Sequence, residues 1–168
     1  MSSQLISLIL FGIAASFSPG PNNILTSYSA YNFGFKKTIP TIVGVVTGWT
    51  LLSILLILGS TVIFTKFENL QITIKILGSI YLIFLAYKIS FVETKSEKKV
   101  RKPVTFINTF FFQFVNPKSI IAGSTAVSLF IDIQSDYLRD SIIFVIVMFI
   151  AAVGSQSAWC LMGTYLRK

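Results

Sequence analysis

Two prolines, a glycine and two asparagines fall within Phe17-Ser18-Pro19-Gly20-Pro21-Asn22-Asn23, in a stretch with no charged residue before Lys36. Proline lacks a backbone donor and glycine loosens the turn, so this segment frees carbonyl and N–H groups that hydrocarbon cannot satisfy. Interrupted helices of this kind hold solutes and ions in mid-membrane, through backbone dipoles left unpaired at the half-helix ends. A proline kink packed among neighbouring helices fits the heptapeptide alone equally well. A second break is Asn116-Pro117-Lys118. Pro117 suits the first position of a new helix and Asn116 its cap, while Lys118 lies about ten residues, roughly 15 Å, into an apolar run. A lysine stem is too short to carry its ammonium from there to the headgroups, so Lys118 is expected to face protein, water or a bound anion.

The elements that must position these residues are membrane helices. The 168 residues are 54% hydrophobic and 12% charged with mean hydropathy +0.78, against about 25% charged in a soluble domain. Five apolar runs, near residues 5–31, 38–64, 71–89, 106–131 and 141–166, each approach the roughly 20 residues a helix needs to cross hydrocarbon. The fold class expected is an all-α integral membrane protein of about five transmembrane helices in a single transmembrane domain, residues 1–168. Met1-Ser2-Ser3-Gln4 carries no basic charge ahead of the first run, so that run is expected to be a span rather than a cleaved signal peptide.

The net charge of +8 follows from topology rather than from a nucleic-acid surface. Lys36, Lys37, Lys95, Lys98, Lys99, Arg101, Lys102, Arg167 and Lys168 fall on one side of the five runs, Lys66 and Arg139 on the other. The multi-pass chain is therefore expected to have its N-terminus outside and the basic loop 91–105 in the cytoplasm, where a lipid contact would be unremarkable. With no His and a single cysteine, Cys160, a metal centre, a cofactor and an internal disulfide are not expected. No nucleophile and base can be paired, which argues against an enzyme.

Runs one to three and four onward each open on a break. An odd number of spans per unit inverts the second unit, so the pattern is an incomplete 3+3 inverted repeat with broken helices 1 and 4. Two half-helix N-termini, at Pro21 and Pro117, then point from opposite sides at one volume, both electropositive. With Lys118 they favour a carboxylate, while Asn22, Asn23, Asn116 and exposed carbonyls would hold an ammonium, so a zwitterion fits. Ser18, Pro19, Gly20, Pro21, Asn22, Asn23, Asn116, Pro117 and Lys118 are the candidate substrate-binding residues. Gln113 and Gln156 are buried amides that either bridge helices or touch solute. Trp49 either lines the pathway or packs in the core. Gly44 and Gly48, four apart, let a helix pack closely or slide. Lys75 either snorkels or joins the site. The phenylalanines from Phe106 to Phe114 read as lipid-facing or packing residues.

Ser18-Pro19-Gly20-Pro21-Asn22-Asn23, Phe33-Gly34-Phe35-Lys36-Lys37, Gly44 with Gly48, Lys75-Ile76-Leu77-Gly78-Ser79-Ile80-Tyr81-Leu82 and Asn116-Pro117-Lys118 together resemble, in order, the LysE/RhtB amino-acid exporter family. The resemblance runs from about residue 12 to 165 and implies export of lysine, homoserine, threonine or related amino acids across the bacterial inner membrane, driven by the proton gradient. Lys75, Gly78, Tyr81 and Gln113 are the candidate accessory site residues. No Asp, Glu or His lies deep in a span, so proton coupling would run through Lys118. Family members usually carry a sixth span of which this sequence shows no counterpart, which leaves room for a partner helix, a homodimer or a vestigial or structural subunit without transport. Export of another small solute or a cation on the same fold is the remaining alternative.

Overall fold

The computed structural model describes residues 2–66, 103–131 and 136–167. All regular structure among them is helical: α1 (Ser2–Phe17), α2 (Pro21–Phe33), α3 (Phe35–Lys66), α4 (Phe106–Phe112), α5 (Pro117–Phe130) and α6 (Tyr137–Leu166). The third expected span, residues 71–89, lies outside the described residues, as do Lys75, Gly78, Tyr81 and all of the expected loop but residues 103–105.

Helices α3 and α6 are each long and apolar enough to cross a bilayer, and α1 with α2, bent by 53° at the first break, are so when taken together. Polarity is distributed as lipid demands. Leu10, Leu55, Ile107, Leu129, Ile150 and Leu161 are exposed, whereas Asn23, Thr26, Gln113, Asn116, Ser155 and Gln156 are buried. A protein dissolved in hydrocarbon has little to gain by hiding leucines and much to gain by pairing its polar groups inside. The apolar part of the interior gathers Leu8, Val46, Trp49, Leu52, Phe144 and Met148.

Glycines set how closely the helices approach. A Cβ on Gly44 would meet the Phe106 carbonyl and the Thr109 hydroxyl, and one on Gly48 would lie 2.5 Å from the Phe110 carbonyl oxygen. These residues therefore seat α3 directly on the backbone of α4, which is the packing use of the pair. The Thr109 hydroxyl donates to the Thr41 carbonyl at 3.1 Å across the same seam, and Thr41 donates to the carbonyl of Val104 at 2.8 Å. On the far side Gly163 of α6 lies against the backbone of Ser27 in α2. Between α2 and α3 the chain turns on Gly34 alone, at φ 82°, a conformation glycine adopts without a Cβ penalty.

Two boundaries differ from the sequence expectation. Helix α3 begins at Phe35, because the Gly34 turn ends α2 at once, and so Lys36 and Lys37 lie in its first turn. Helix α6 begins at Tyr137 rather than near 141, with the Asp136 carboxylate accepting from the Arg139 N–H at 3.5 Å.

Candidate functional site

Pro21 and Pro117 each occupy the first turn of a new helix, where a missing N–H costs nothing. Upstream the cost is real, since each proline leaves the carbonyl four residues earlier without its helical donor. At the first break every such group is repaired. The Ala15 carbonyl, which Pro19 cannot serve, accepts from the Ser18 hydroxyl at 2.9 Å. The Phe17 carbonyl, which Pro21 cannot serve, accepts from the Trp159 indole at 3.3 Å. Between them, the Ser16 carbonyl accepts from the Ser155 hydroxyl at 2.6 Å and the Asn23 amide at 2.8 Å. The Ser18 carbonyl accepts from Asn23 at 2.9 Å and from the Lys118 ammonium at 2.6 Å; Pro19 accepts from Lys118 at 3.4 Å.

That last pair of bonds joins the two breaks. Lys118, one hundred residues from Ser18 in sequence, lies across Gly20, where a Cβ would come within 2.6 Å of its Cδ and 2.8 Å of its Nζ. Gly20 is itself fully extended, at φ −173° and ψ 174°, so the position needs glycine for space and not for backbone freedom. The ammonium also sits on the carbonyl end of α1, where positive charge offsets the negative end of the helix dipole.

Asparagines and glutamines complete the bridge. The side chains of Asn22 and Gln113 exchange two hydrogen bonds, at 2.7 and 3.0 Å, and Ser119 donates to the Gln113 oxygen at 3.1 Å. The Gln156 amide donates to the Asn23 oxygen at 2.6 Å and accepts from Thr26 at 2.6 Å. Asn116 caps α5, its oxygen accepting from the Lys118 N–H at 3.1 Å, while its own amide nitrogen is buried without a partner among the described residues.

The second break is longer than its proline motif. Helix α4 ends at Phe112, and Gln113, Phe114 and Val115 wind into a tighter turn whose N–H groups reach Phe110, Phe111 and Phe112 at 3.2–3.3 Å. The Pro117 ring and its missing donor bear on the carbonyl of Gln113, which forces this unwinding.

A cavity of about 60 Å³ opens where the breaks meet. One end is polar, lined by Asn22, Asn23, Lys118, Ser119, Ser155 and Gln156. Ala15, Trp49, Ala122, Met148 and Ala152 line the rest. Of the nine candidate substrate-binding residues, Gly20, Asn22, Asn23 and Lys118 reach the cavity, as do Trp49 and Gln156 among the other residues singled out from sequence. Ser18 and Pro19 hold Lys118 through their carbonyls, Pro21 and Pro117 start the helices, Asn116 caps one of them, and Gln113 anchors Asn22. The Ser16 and Ser18 carbonyls, among those expected to hold an ammonium, already have two donors each, so such a group is left mainly with side-chain oxygens. Sequence inspection missed Ser16, Ser155 and Trp159 as stitching partners, and Met148 and Ala152 as cavity walls.

The LysE type translocator family model matches residues 13–163. Cysteine/O-acetylserine efflux proteins of Escherichia coli (strain K12) and of Shigella flexneri serotype 5b (strain 8401) are each 31% identical to this chain over 161 residues, covering 94% of it and 81% of their own length. No solved structure matches the chain significantly. The chain belongs to the LysE type translocator family.

Proposed function

We propose that this protein exports a small amino acid across the bacterial inner membrane by alternating access. One observation carries the proposal: Lys118, delivered by the second break, bonds to the carbonyls of the first at the rim of a shared cavity. In such a site the solute carboxylate pairs with the Lys118 ammonium and the electropositive start of α5, while its ammonium meets the Asn22 and Ser119 oxygens. Transport requires that the two breaks part, so the Lys118 to Ser18 bond and the Asn22–Gln113 amide pair are the contacts that rearrange as one unit rocks against the other.

The names of the two relatives favour cysteine or O-acetylserine as cargo over lysine, homoserine or threonine. Proton coupling through Lys118 belongs to the same proposal. So does an orientation with the N-terminus outside and loop 91–105 in the cytoplasm. In its support, Arg167 packs against Gly34 beside Lys36 and Lys37, and Val104 meets Thr41 at that end, while Arg139 lies near Gln4 at the other. A single transmembrane unit, paired as a homodimer through its apolar faces, completes the picture.

Purified protein in liposomes loaded with labelled cysteine, O-acetylserine, threonine, homoserine and lysine tests this directly. Exchange of the small neutral amino acids is expected, with little of any amine that lacks a carboxylate. Folded protein that moves no amino acid, or that moves the amine equally well, would overturn the proposal. Proton coupling fails on its own if Lys118→Gln transports with an unchanged pH dependence.

A further inference from the structure

The two ends of the cavity differ in chemistry along one direction. On α5, Ala122 lies one turn beyond Lys118, about 6 Å along the axis, and on α6 Ala152 and Met148 lie one and two turns from Gln156, about 6 and 12 Å. Helix α1 runs beside α6 in the same direction, since Ser16 bonds to Ser155 and a Cβ on Gly12 would lie 3.2 Å from the Met148 sulfur. A zwitterion held by its head at Lys118 therefore points its side chain toward Ala122, Ala152 and Met148, past the Trp49 ring. Met148 is 1% exposed and is the lining residue farthest along α6 from Gln156.

We infer that Met148, with Ala152 and Ala122 as side walls, is the floor that sets the length and polarity of the side chain this site accepts. The inference rests on the exporter proposal and adds which residues choose the cargo. A cavity of about 60 Å³ has room for roughly four to six waters, a volume suited to a short side chain. All six acidic residues of the sequence, Glu68, Glu93, Glu97, Asp132, Asp136 and Asp140, fall outside the apolar cores of the spans, so a cationic side chain would lie on this floor unpaired. A thioether and an indole, by contrast, are good neighbours for a short apolar or sulfur-bearing group.

The test is a chain-length series of neutral amino acids, from alanine through 2-aminobutyrate and norvaline to norleucine, with lysine as the charged member, each competing for exchange in liposomes. Wild type is expected to cut off within the series, by roughly tenfold or more per excess methylene, and to ignore lysine. Met148→Ala should move the cut-off toward norleucine, Ala152→Leu toward alanine, and Met148→Leu should leave it in place. Because Ala152→Leu fills space and Met148→Ala empties it, the two shift the cut-off oppositely, which a general loss of folding cannot do. Transport retained with an unmoved cut-off in both variants, or wild-type exchange of lysine at the level of norvaline, would overturn the floor assignment while leaving the exporter proposal standing. Wild-type protein that exchanges none of the series would bring down both.

Discussion

The break before Pro21 and the break before Pro117 place the same residue at the same helical position, yet they are held in opposite ways. The first depends on distant helices. Its freed carbonyls take donors from α2, α5 and α6, through Asn23, Lys118, Ser155 and Trp159. The second largely holds itself, through three backbone bonds in the 113–115 turn and the Asn116 cap. A self-held break can move as a unit, whereas one stitched by its neighbours changes when they move. Under the alternating-access proposal, this contrast would make the α4–α5 break the piece that carries Lys118 in and out, and the α1–α2 break the piece that registers its arrival.

The strongest way to break that comparison is Lys118→Met, which removes the hydrogen bonds that reach from the second proline break to the backbone of the first. Truncating one partner of a charged hydrogen bond costs about 2–5 kcal/mol when both groups are buried; this one is part-buried, so the lower end applies and efflux should fall about 30-fold. Ser18 keeps its bond from Asn23, and the protein should still run as folded material in size-exclusion chromatography. Efflux within threefold of wild type would show that the breaks do not communicate through this residue.

A matched pair of glycine substitutions sharpens the contrast further. At Gly48 a methyl group would meet the backbone of Phe110, which cannot yield, so Gly48→Ala should destabilise by about 1–3 kcal/mol and lower the melting temperature. At Gly20 the three atoms nearest to the methyl all belong to the flexible end of Lys118. Gly20→Ala should therefore leave the melting temperature nearly unchanged while lowering efflux about tenfold, a change of roughly 1.4 kcal/mol. The reverse pattern would mean that the first break, and not the α3–α4 seam, is the rigid one.

Gln156→Leu tests the outside support of the first break. It removes the donor to Asn23 and the acceptor for Thr26, both buried, and each stranded group costs about 1–3 kcal/mol. Stability should drop by about 2–4 kcal/mol, seen as a lower midpoint in thermal unfolding in detergent. No drop would mean that Asn23 holds the Ser16 and Ser18 carbonyls without help.

How far these features can be read from sequence depends on the range of the forces involved. Pro21 and Pro117 open their helices because proline acts on its own residue, its predecessor and the carbonyl four back, all local. The same local rule implies unwinding at Gln113, so the early end of α4 was within reach of the sequence. Lys118 facing protein follows from depth alone. The partners of the freed carbonyls do not, because Ser155 and Trp159 meet α1 only once Gly12 and Gly163 have brought α6 alongside it and α2. Their one sequence signal is a glutamine, Gln156, set in an apolar helix that has no other use for it. The carbonyls thought open to an ammonium were filled by those same distant donors.

The smallest effect concerns the cap of the self-held break. Asn116 uses its oxygen on the Lys118 N–H and leaves its amide nitrogen buried and, among the described residues, unpartnered. Serine is about as good an N-cap as asparagine and carries no amide. Asn116→Ser should therefore keep the helix start and remove a stranded donor, leaving stability unchanged or raised by about 1 kcal/mol, with efflux within about twofold of wild type. Asn116→Ala discards the cap as well and should cost about 1 kcal/mol. If the serine variant were as damaged as the alanine one, the amide would be bonding to something in the working protein, and the second break would not be self-sufficient after all.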